Sequence, residues 1–338
     1  MSEPDGRSGL PPRPENNASI EAWKKYAAEM EAVAAASEHR ANFVHERLNK
    51  LIGSPAWKLL KKAKTLIEST PLRRAGRKKK HILSSYVPQV HGTPLISILI
   101  PFRDSAPLLQ QCLDTLRSKT AYRQYELILI DNGSIEKSTH RLLEREEKKG
   151  ARIVRVDEPF NYSRLNNLGA KSAQGEHLLL LNNDIEIIEP QWLGALVEQS
   201  QRKDVAVVGA KLLYPDGRVQ HAGVVVGLDD VAGHAFKYLD GDDLQIITVR
   251  ECAAVTGACL ITPRHLFEKW GGLNEIDLPV AYQDVDYCLR AKEAGYKVIY
   301  TPHAALVHHE SASRSFTNNP NEAAYMCRRW ARRILDKA

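Results

Sequence analysis

The sequence predicts an α/β fold with a mixed, mostly parallel central sheet, and three observations carry that expectation. From Pro94 onward, strand-length apolar runs alternate with helix-length amphipathic runs. Three of the strand-like runs end in polar clusters, where open α/β sheets present their ligands. The 338 residues, 43% of them hydrophobic, are enough to bury a sizeable core.

In order, Leu95–Pro101 reads as a strand and Pro107–Lys119 as a helix. Tyr125–Asp131 is the next strand and Lys137–Lys149 the next helix. Arg152–Val156 and Ser163–Ala173 repeat the pair, and His177–Leu181 has the leucine run of a buried strand. Pro190–Gln201 and Val205–Gly209 follow the same theme. Tyr287–Ala294 reads as a helix closed by Gly295, and a strand-like run leads from Tyr300 to Val307.

The flanks differ in texture. Residues 1–18 are polar and rich in Pro and Gly, and read as a disordered tail. Residues 19–52 read as a helix with Ser19 as N-cap. Its seam (Ile20, Trp23, Ala27, Met30, Ala34, Ser37, Ala41, Val44, Leu48, Leu51) recurs at spacings of three and four. Such a seam over 20–51 fits a homo-oligomer of paired helices or a single helix packed on its own domain. Within the segment 53–93, Trp57 to Lys80 holds ten basic residues and one acid, interleaved with Trp57, Leu59, Leu60, Leu66 and Ile67. That stretch, 57–80, reads as a contact for an anionic membrane surface. Residues 317–338 read as a basic amphipathic helix docked through Tyr325, Trp330, Ile334 and Leu335.

Between these flanks, residues 81–320 carry 25 Lys or Arg against 30 Asp or Glu, so no nucleic acid is expected as a partner. No apolar run approaches the roughly 20 residues of a membrane span, and no signal peptide is visible. The expectation is a cytoplasmic protein, peripheral at most on the inner face of the cell membrane. Five cysteines without a CxxC pair argue against a zinc site or a disulfide framework, and are expected as buried or half-buried thiols.

The polar clusters carry the chemistry. The first strand ends in Pro101-Phe102-Arg103-Asp104, the second in Asp131-Asn132-Gly133-Ser134, and the leucine strand in Asn182-Asn183-Asp184. Each alone fits a turn or a cap. Three in register favour one shared ligand site. A carboxylate at the mouth of a buried strand is costly unless it is paired or holds a cation. Neither GxGxxG nor GxxxxGK[ST] is present, so a nucleotide would be held through a metal bridging carboxylate and diphosphate. Downstream, Gln283-Asp284-Val285-Asp286 leads into a helix, and His308-His309-Glu310 closes a strand-like run as a candidate ligand set.

From Leu95 to Arg314 the chain resembles the family 2 glycosyltransferases, roughly two thirds of its length through several ordered motifs. The resemblance implies the GT-A fold for residues 94–316. It implies nucleotide-sugar contacts at Pro101, Arg103, Asp104, Asp131, Asn132, Arg164, Asn182 and Asn183. It places a divalent metal, Mn2+ or Mg2+, on Asp184 with His308 or His309; Asn182 stands where the family commonly has an acid. Thr256-Gly257-Ala258 and Gly271-Gly272-Leu273-Asn274-Glu275 match the acceptor-side pattern, so Thr256, Gly257, Gly271, Gly272, Asp286 and Arg314 are expected at the sugar or acceptor. Gln283-Asp284 matches the motif that holds the general base, which makes Asp284 the catalytic residue. FNYSRLNN (Phe160–Asn167), QHAG (Gln220–Gly223) and HHESASR are similar to a bacterial branch that builds surface polysaccharides, several members of which are assigned as rhamnosyltransferases.

The implied reaction is inverting transfer from a nucleoside-diphosphate sugar, such as dTDP-rhamnose, to a glycan or lipid-linked glycan acceptor. Asp284 would take the acceptor proton as the hydroxyl attacks. Two rivals were weighed. A nucleotidyltransferase would want a glycine-rich basic loop, and PFRDSAP has neither Gly nor Lys. A scaffold that recruits partner enzymes to a membrane draws support from Asn182 and Gln283, which stand where acids are usual.

Overall fold

The computed structural model describes residues 86–227, 231–309 and 320–335, the side chains of 332–335 excepted. The chain divides into Met1–Lys80 and His81–Ala338, and every described residue lies in the second. The tail 1–18, the helix expected over 19–52, the basic stretch 57–80 and Arg314 lie outside the described residues.

The elements run β1 (Ile96–Phe102), α1 (Ala106–Lys119), β2 (Tyr125–Asp131), α2 (Lys137–Lys148), β3 (Arg152–Arg155), α3 (Tyr162–Lys171), β4 (His177–Leu181), β5 (Ile185–Ile187), α4 (Trp192–Ser200), β6 (Val205–Leu213), β7 (Val219–His221), β8 (Val224–Val226), β9 (Ala232–His234), β10 (Arg250–Glu251), β11 (Cys259–Pro263), α5 (Arg264–Lys269), α6 (Gln283–Glu293), β12 (Lys297–His308) and α7 (Pro320–Leu335). The main sheet has the order β10-β12-β6-β11-β4-β1-β2-β3, with β5 added on β12 and β7 on β6. β1 is parallel to both β2 and β4, β2 to β3, and β12 to β6. β11 runs antiparallel between β4 and β6, which makes the sheet mixed.

The strands are buried on both faces, as a covered parallel sheet requires. Ile96, Ile98 and Ile100 face one core with Leu109, Leu113 and Leu116 of α1 and Trp192–Val197 of α4. Leu99, Leu178 and Leu180 face the other, with Leu165, Leu266, Tyr287, Met326 and Trp330. This is the period of two expected of a strand. Of the four residues expected to dock the C-terminal helix, Trp330 is buried and Tyr325 half-buried, while the side chains of Ile334 and Leu335 lie outside the described residues; Met326 is buried as well. Cys112, Cys259 and Cys288 are buried and Cys252 half-buried as expected, whereas Cys327 lies on the outer face of α7 and is exposed. Among the described residues no helix is long and apolar enough to cross a membrane.

Register aligns the polar clusters. Phe102 of β1 sits opposite Asp131 of β2, which sits opposite Arg155 of β3. The carboxyl ends of β1, β2 and β4 therefore open on one edge. β12 reaches the same edge by its length: it follows β6 as far as Thr301, shifts register, and continues to His308 against Ile185.

Candidate active site

At the first mouth, Asp104 and Ser105 both hold left-handed backbone, φ 50° and 54°. For residues with a side chain this costs energy, and it persists where neighbours enforce it. Here Asp104 Oδ1 accepts from the backbone N–H groups of Ile135 and Glu136, each at 2.9 Å, and the Asp104 N–H donates to Ser134 Oγ at 2.7 Å. Asp104 thus ties the loop after β1 to the turn after β2, while Arg103 stands exposed beside it and Pro101 is buried inside β1.

Asp131 is buried, and its two oxygens have separate partners. Oδ1 accepts from the Ser134 N–H at 2.8 Å, and Oδ2 accepts from Arg155 at 2.8 Å. Asn132 donates its side-chain amide to the carbonyls of Val156 and Glu158 at 3.1 and 2.8 Å, and its buried Oδ1 has no donor. Ordered acceptors and an open carbonyl oxygen at a strand end suit recognition of a base or ribose.

The second mouth gathers Asp184 and His308. Asp184 Oδ1 lies 3.0 Å from His308 Nε2. That oxygen is buried and receives no well-aligned hydrogen bond. His308 Nδ1 faces Gln220 Oε1 at 2.6 Å. Because an amide oxygen only accepts, Nδ1 donates to it and Nε2 is the ring nitrogen turned toward Asp184. An imidazole nitrogen and a carboxylate oxygen 3.0 Å apart are a donor pair that a divalent cation fits. A ligand histidine held by a second partner on its other nitrogen is the usual arrangement at metal sites. Asn182 Nδ2 stands 3.4 Å from the same Nε2, and Asn182 and Asn183 are half-buried. Among the described residues no group of three or more His, Cys, Asp or Glu side chains gathers around one point. Cys112 also lies here; burial and the Asp184 charge push its thiol up to about 12, so it stays a neutral packing group.

His309, the alternative ligand, turns elsewhere. Its Nε2 is 3.3 Å from Glu186, while its backbone N–H donates to the Asp184 carbonyl.

The third component is Asp284, in the first turn of α6. Its Oδ2 accepts from the Gly257 N–H at 2.7 Å and its Oδ1 from the Val285 N–H at 2.8 Å. Burial pushes its carboxyl above the usual value, and those two N–H donors oppose the shift. Tyr162 donates to the Gly257 carbonyl at 2.9 Å. A Cβ on Gly257 would come 3.3 Å from the Tyr162 oxygen and 3.5 Å from Asp284 Cβ, so the glycine lets three elements meet. Thr256 Oγ1 accepts from the Ala258 N–H at 3.3 Å and steadies the same turn.

Several expected ligand contacts have other work in the structure. Arg164, expected at the nucleotide sugar, forms an ion pair with Glu158 and donates to Glu275 at 3.1 Å, so its guanidinium ties two loops together. Gly271 and Gly272 have φ of 73° and 72°, which glycine adopts freely. Their turn packs on α3: a Cβ on Gly272 would lie 2.3 Å from Asn167 Oδ1. Asp286 is buried with one oxygen on Arg290 at 2.8 Å and the other on Trp330 Nε1 at 3.0 Å.

The FNYSRLNN motif explains itself in the same way. Asn161, Ser163 and Asn167 bond to the backbone of Glu275, Leu278 and Leu273 at 2.8, 2.6 and 2.9 Å. It is a bracket that holds the loop before Asp284. Two residues with roles here were absent from the expectation: Gln220, which orients His308, and Arg155, which pairs with Asp131. QHAG carried the signal for the first, since a buried Gln-His pair on a short strand calls for polar partners.

Comparisons with known proteins bear on the family and the fold. The model of the Glycosyl transferase family 2 matches residues 97–226. The O-antigen biosynthesis protein RfbC of Myxococcus xanthus is 44% identical over 232 residues, covering 67% of this chain and 18% of that protein. The chain thus spans under a fifth of that relative's length. GalNAc-T7, solved with UDP, GalNAc and Mn2+, superposes with a TM-score of 0.58 at 14% identity, over 70% of this chain and 48% of that one. The mannosyltransferase PcManGT of Pyrobaculum calidifontis, solved with GDP-Man and Mn2+, gives 0.53 at 15% identity, over 90% and 80%.

Proposed function

Since the chain belongs to the family 2 glycosyltransferases and has their GT-A fold, we propose that it transfers a sugar, with inversion, from a nucleoside-diphosphate sugar to a glycan or lipid-linked glycan acceptor. The observation that carries this reading is the buried Asp184 Oδ1, without a hydrogen-bond donor, facing Nε2 of His308 on the strand-end edge that also holds Asp131.

The residues divide the work. Asp131, Asn132 and the strained Arg103-Asp104 loop hold the nucleoside. Asp184 and His308 would hold the divalent ion, Mn2+ or Mg2+, with Gln220 fixing the imidazole. When bound, that ion stabilises the charge that grows on the leaving diphosphate. Asp284 takes the proton from the acceptor hydroxyl while the hydroxyl oxygen bonds to the anomeric carbon and the bond to the diphosphate oxygen breaks. Its two backbone N–H donors fix the carboxylate in place, and its raised pKa makes it a stronger base than a free Asp.

The bacterial polysaccharide relative supports a surface-glycan acceptor, and dTDP-rhamnose is the donor this reading favours. The basic stretch 57–80 would bring the enzyme to an anionic inner membrane face. The deciding experiment is turnover with a panel of nucleotide sugars and Mn2+, followed by mass analysis of the product. Release of nucleoside diphosphate that EDTA abolishes is expected. Metal-dependent nucleotide binding without any turnover would replace this reading with the scaffold.

A further inference from the structure

We propose that Glu322, on the C-terminal helix α7, is a positioning residue for Asp284. It acts by clamping the backbone that leads into α6. The proposal rests on the reading of Asp284 as the base.

Glu322 is 1% exposed, and its carboxylate accepts from two consecutive backbone N–H groups, Val280 at 2.8 Å and Ala281 at 3.3 Å. α7 does not need this acid to dock. Met326 and Trp330, at spacings of four and eight from Glu322, already bury an apolar stripe in the core. A buried carboxylate in such a stripe is costly unless its bonds satisfy it, and these bonds go to a loop rather than to another helix. Two bonds to adjacent N–H groups fix the peptide planes just before Tyr282.

Tyr282 then turns the chain with φ 60°, a strained value for a tyrosine, and Asp284 follows two residues later. α7 also grips the far side of Asp284. Trp330 Nε1 donates to Asp286 at 3.0 Å, and the Asp286 N–H donates to the Tyr282 carbonyl at 2.8 Å. From the opposite face Ser163 donates to the Leu278 carbonyl at 2.6 Å. The turn that carries Asp284 is therefore held from both sides. Freed from Glu322, the turn slackens and Asp284 drifts off the Gly257 and Val285 N–H donors.

The groups that face Asp284 are Tyr162 from α3, His234 from β9, and Cys288 on its own helix. None is changed by substitution at Glu322. Loss of the two N–H bonds raises the carboxyl pKa further, since those bonds favour the charged form.

The test uses the full chain with Glu322→Gln and Glu322→Ala. Three measurements are made on each variant. The first is the carbon-13 titration of the Asp284 carboxyl, identified by its loss in Asp284→Asn. The second is Mn2+-dependent binding of dTDP and UDP. The third is release of nucleoside diphosphate from dTDP-rhamnose and UDP-glucose. In Glu322→Ala the Asp284 titration moves to higher pH and turnover falls about tenfold to a hundredfold. Nucleotide binding stays within about twofold, and Glu322→Gln, with one acceptor oxygen left, lies between. The isosteric Glu322→Gln decides the matter if the alanine variant does not fold. An unchanged Asp284 titration in a folded variant overturns the proposal, as does a turnover loss matched by an equal loss of nucleotide binding. Full turnover in Asp284→Asn instead removes the base assignment, and the titration shift still reports whether Glu322 positions Asp284.

Discussion

A single carboxylate illustrates how this site departs from ordinary protein interiors. Asp284 has a raised pKa because burial disfavours its charge more than two N–H donors favour it. The native state therefore holds its proton to higher pH than the unfolded chain, which loses it near the ordinary value of about 3.9. Stability then falls as pH rises through that window, and at neutral pH the fold carries the cost of a charged Asp284. Asp284→Asn is expected to melt higher than the wild type at pH 7, with the difference closing toward about pH 4. The same variant keeps metal-dependent nucleotide binding and loses about 100-fold in turnover, which steady-state kinetics will read. At the metal pair, Gln220→Leu removes the acceptor that fixes the His308 tautomer. Mn2+ affinity measured by calorimetry is expected to drop about tenfold or more.

At the scale of elements, the motifs with most polar residues prove to be brackets. α3 holds the loop 271–279 through Asn161, Ser163, Arg164 and Asn167, and α7 holds its end through Glu322. Loops that must present a base need such external support, since their own backbone bonds are few. Gly272→Ala puts a Cβ against Asn167 at a backbone angle that favours glycine. It is expected to cost about 1–3 kcal/mol in a denaturant titration. Mn2+ binding at Asp184 and His308 should be unchanged, which separates a packing role for this turn from a ligand contact.

At the scale of the whole molecule, charge is segregated. The stretch 57–80 carries ten basic residues, while 81–320 is net acidic. Anionic vesicles of phosphatidylglycerol are expected to sediment the full chain and not a fragment starting at His81, and the binding should weaken with added salt. Sedimentation of both to the same extent would move the membrane contact away from 57–80.

The sequence by itself determined the alternation of strands and helices, because a run of apolar residues with period two or 3.6 can only be satisfied in a covered sheet. It also placed polar clusters at the ends of β1, β2 and β4, since an acid directly after a buried strand has nowhere else to be. Val205–Gly209 was legible as a strand, but its continuation to Leu213 was not: Lys211 interrupts the apolar pattern, and its ammonium is buried on the Gly241 carbonyl. The short strands β5 and β7 to β11 carry too few residues to show a period. Only the tertiary structure decided which polar residues meet. His308 and His309 are adjacent in sequence, yet His308, the last residue of β12, turns to Asp184 and Gln220, and His309, just past the strand, turns toward Glu186. Arg164, Asp286 and the paired glycines carry the residue types of a binding site, yet each also meets a residue far along the chain: Glu275, Trp330 and Asn167. A motif fixes what a residue can bond to, and packing fixes what is within reach.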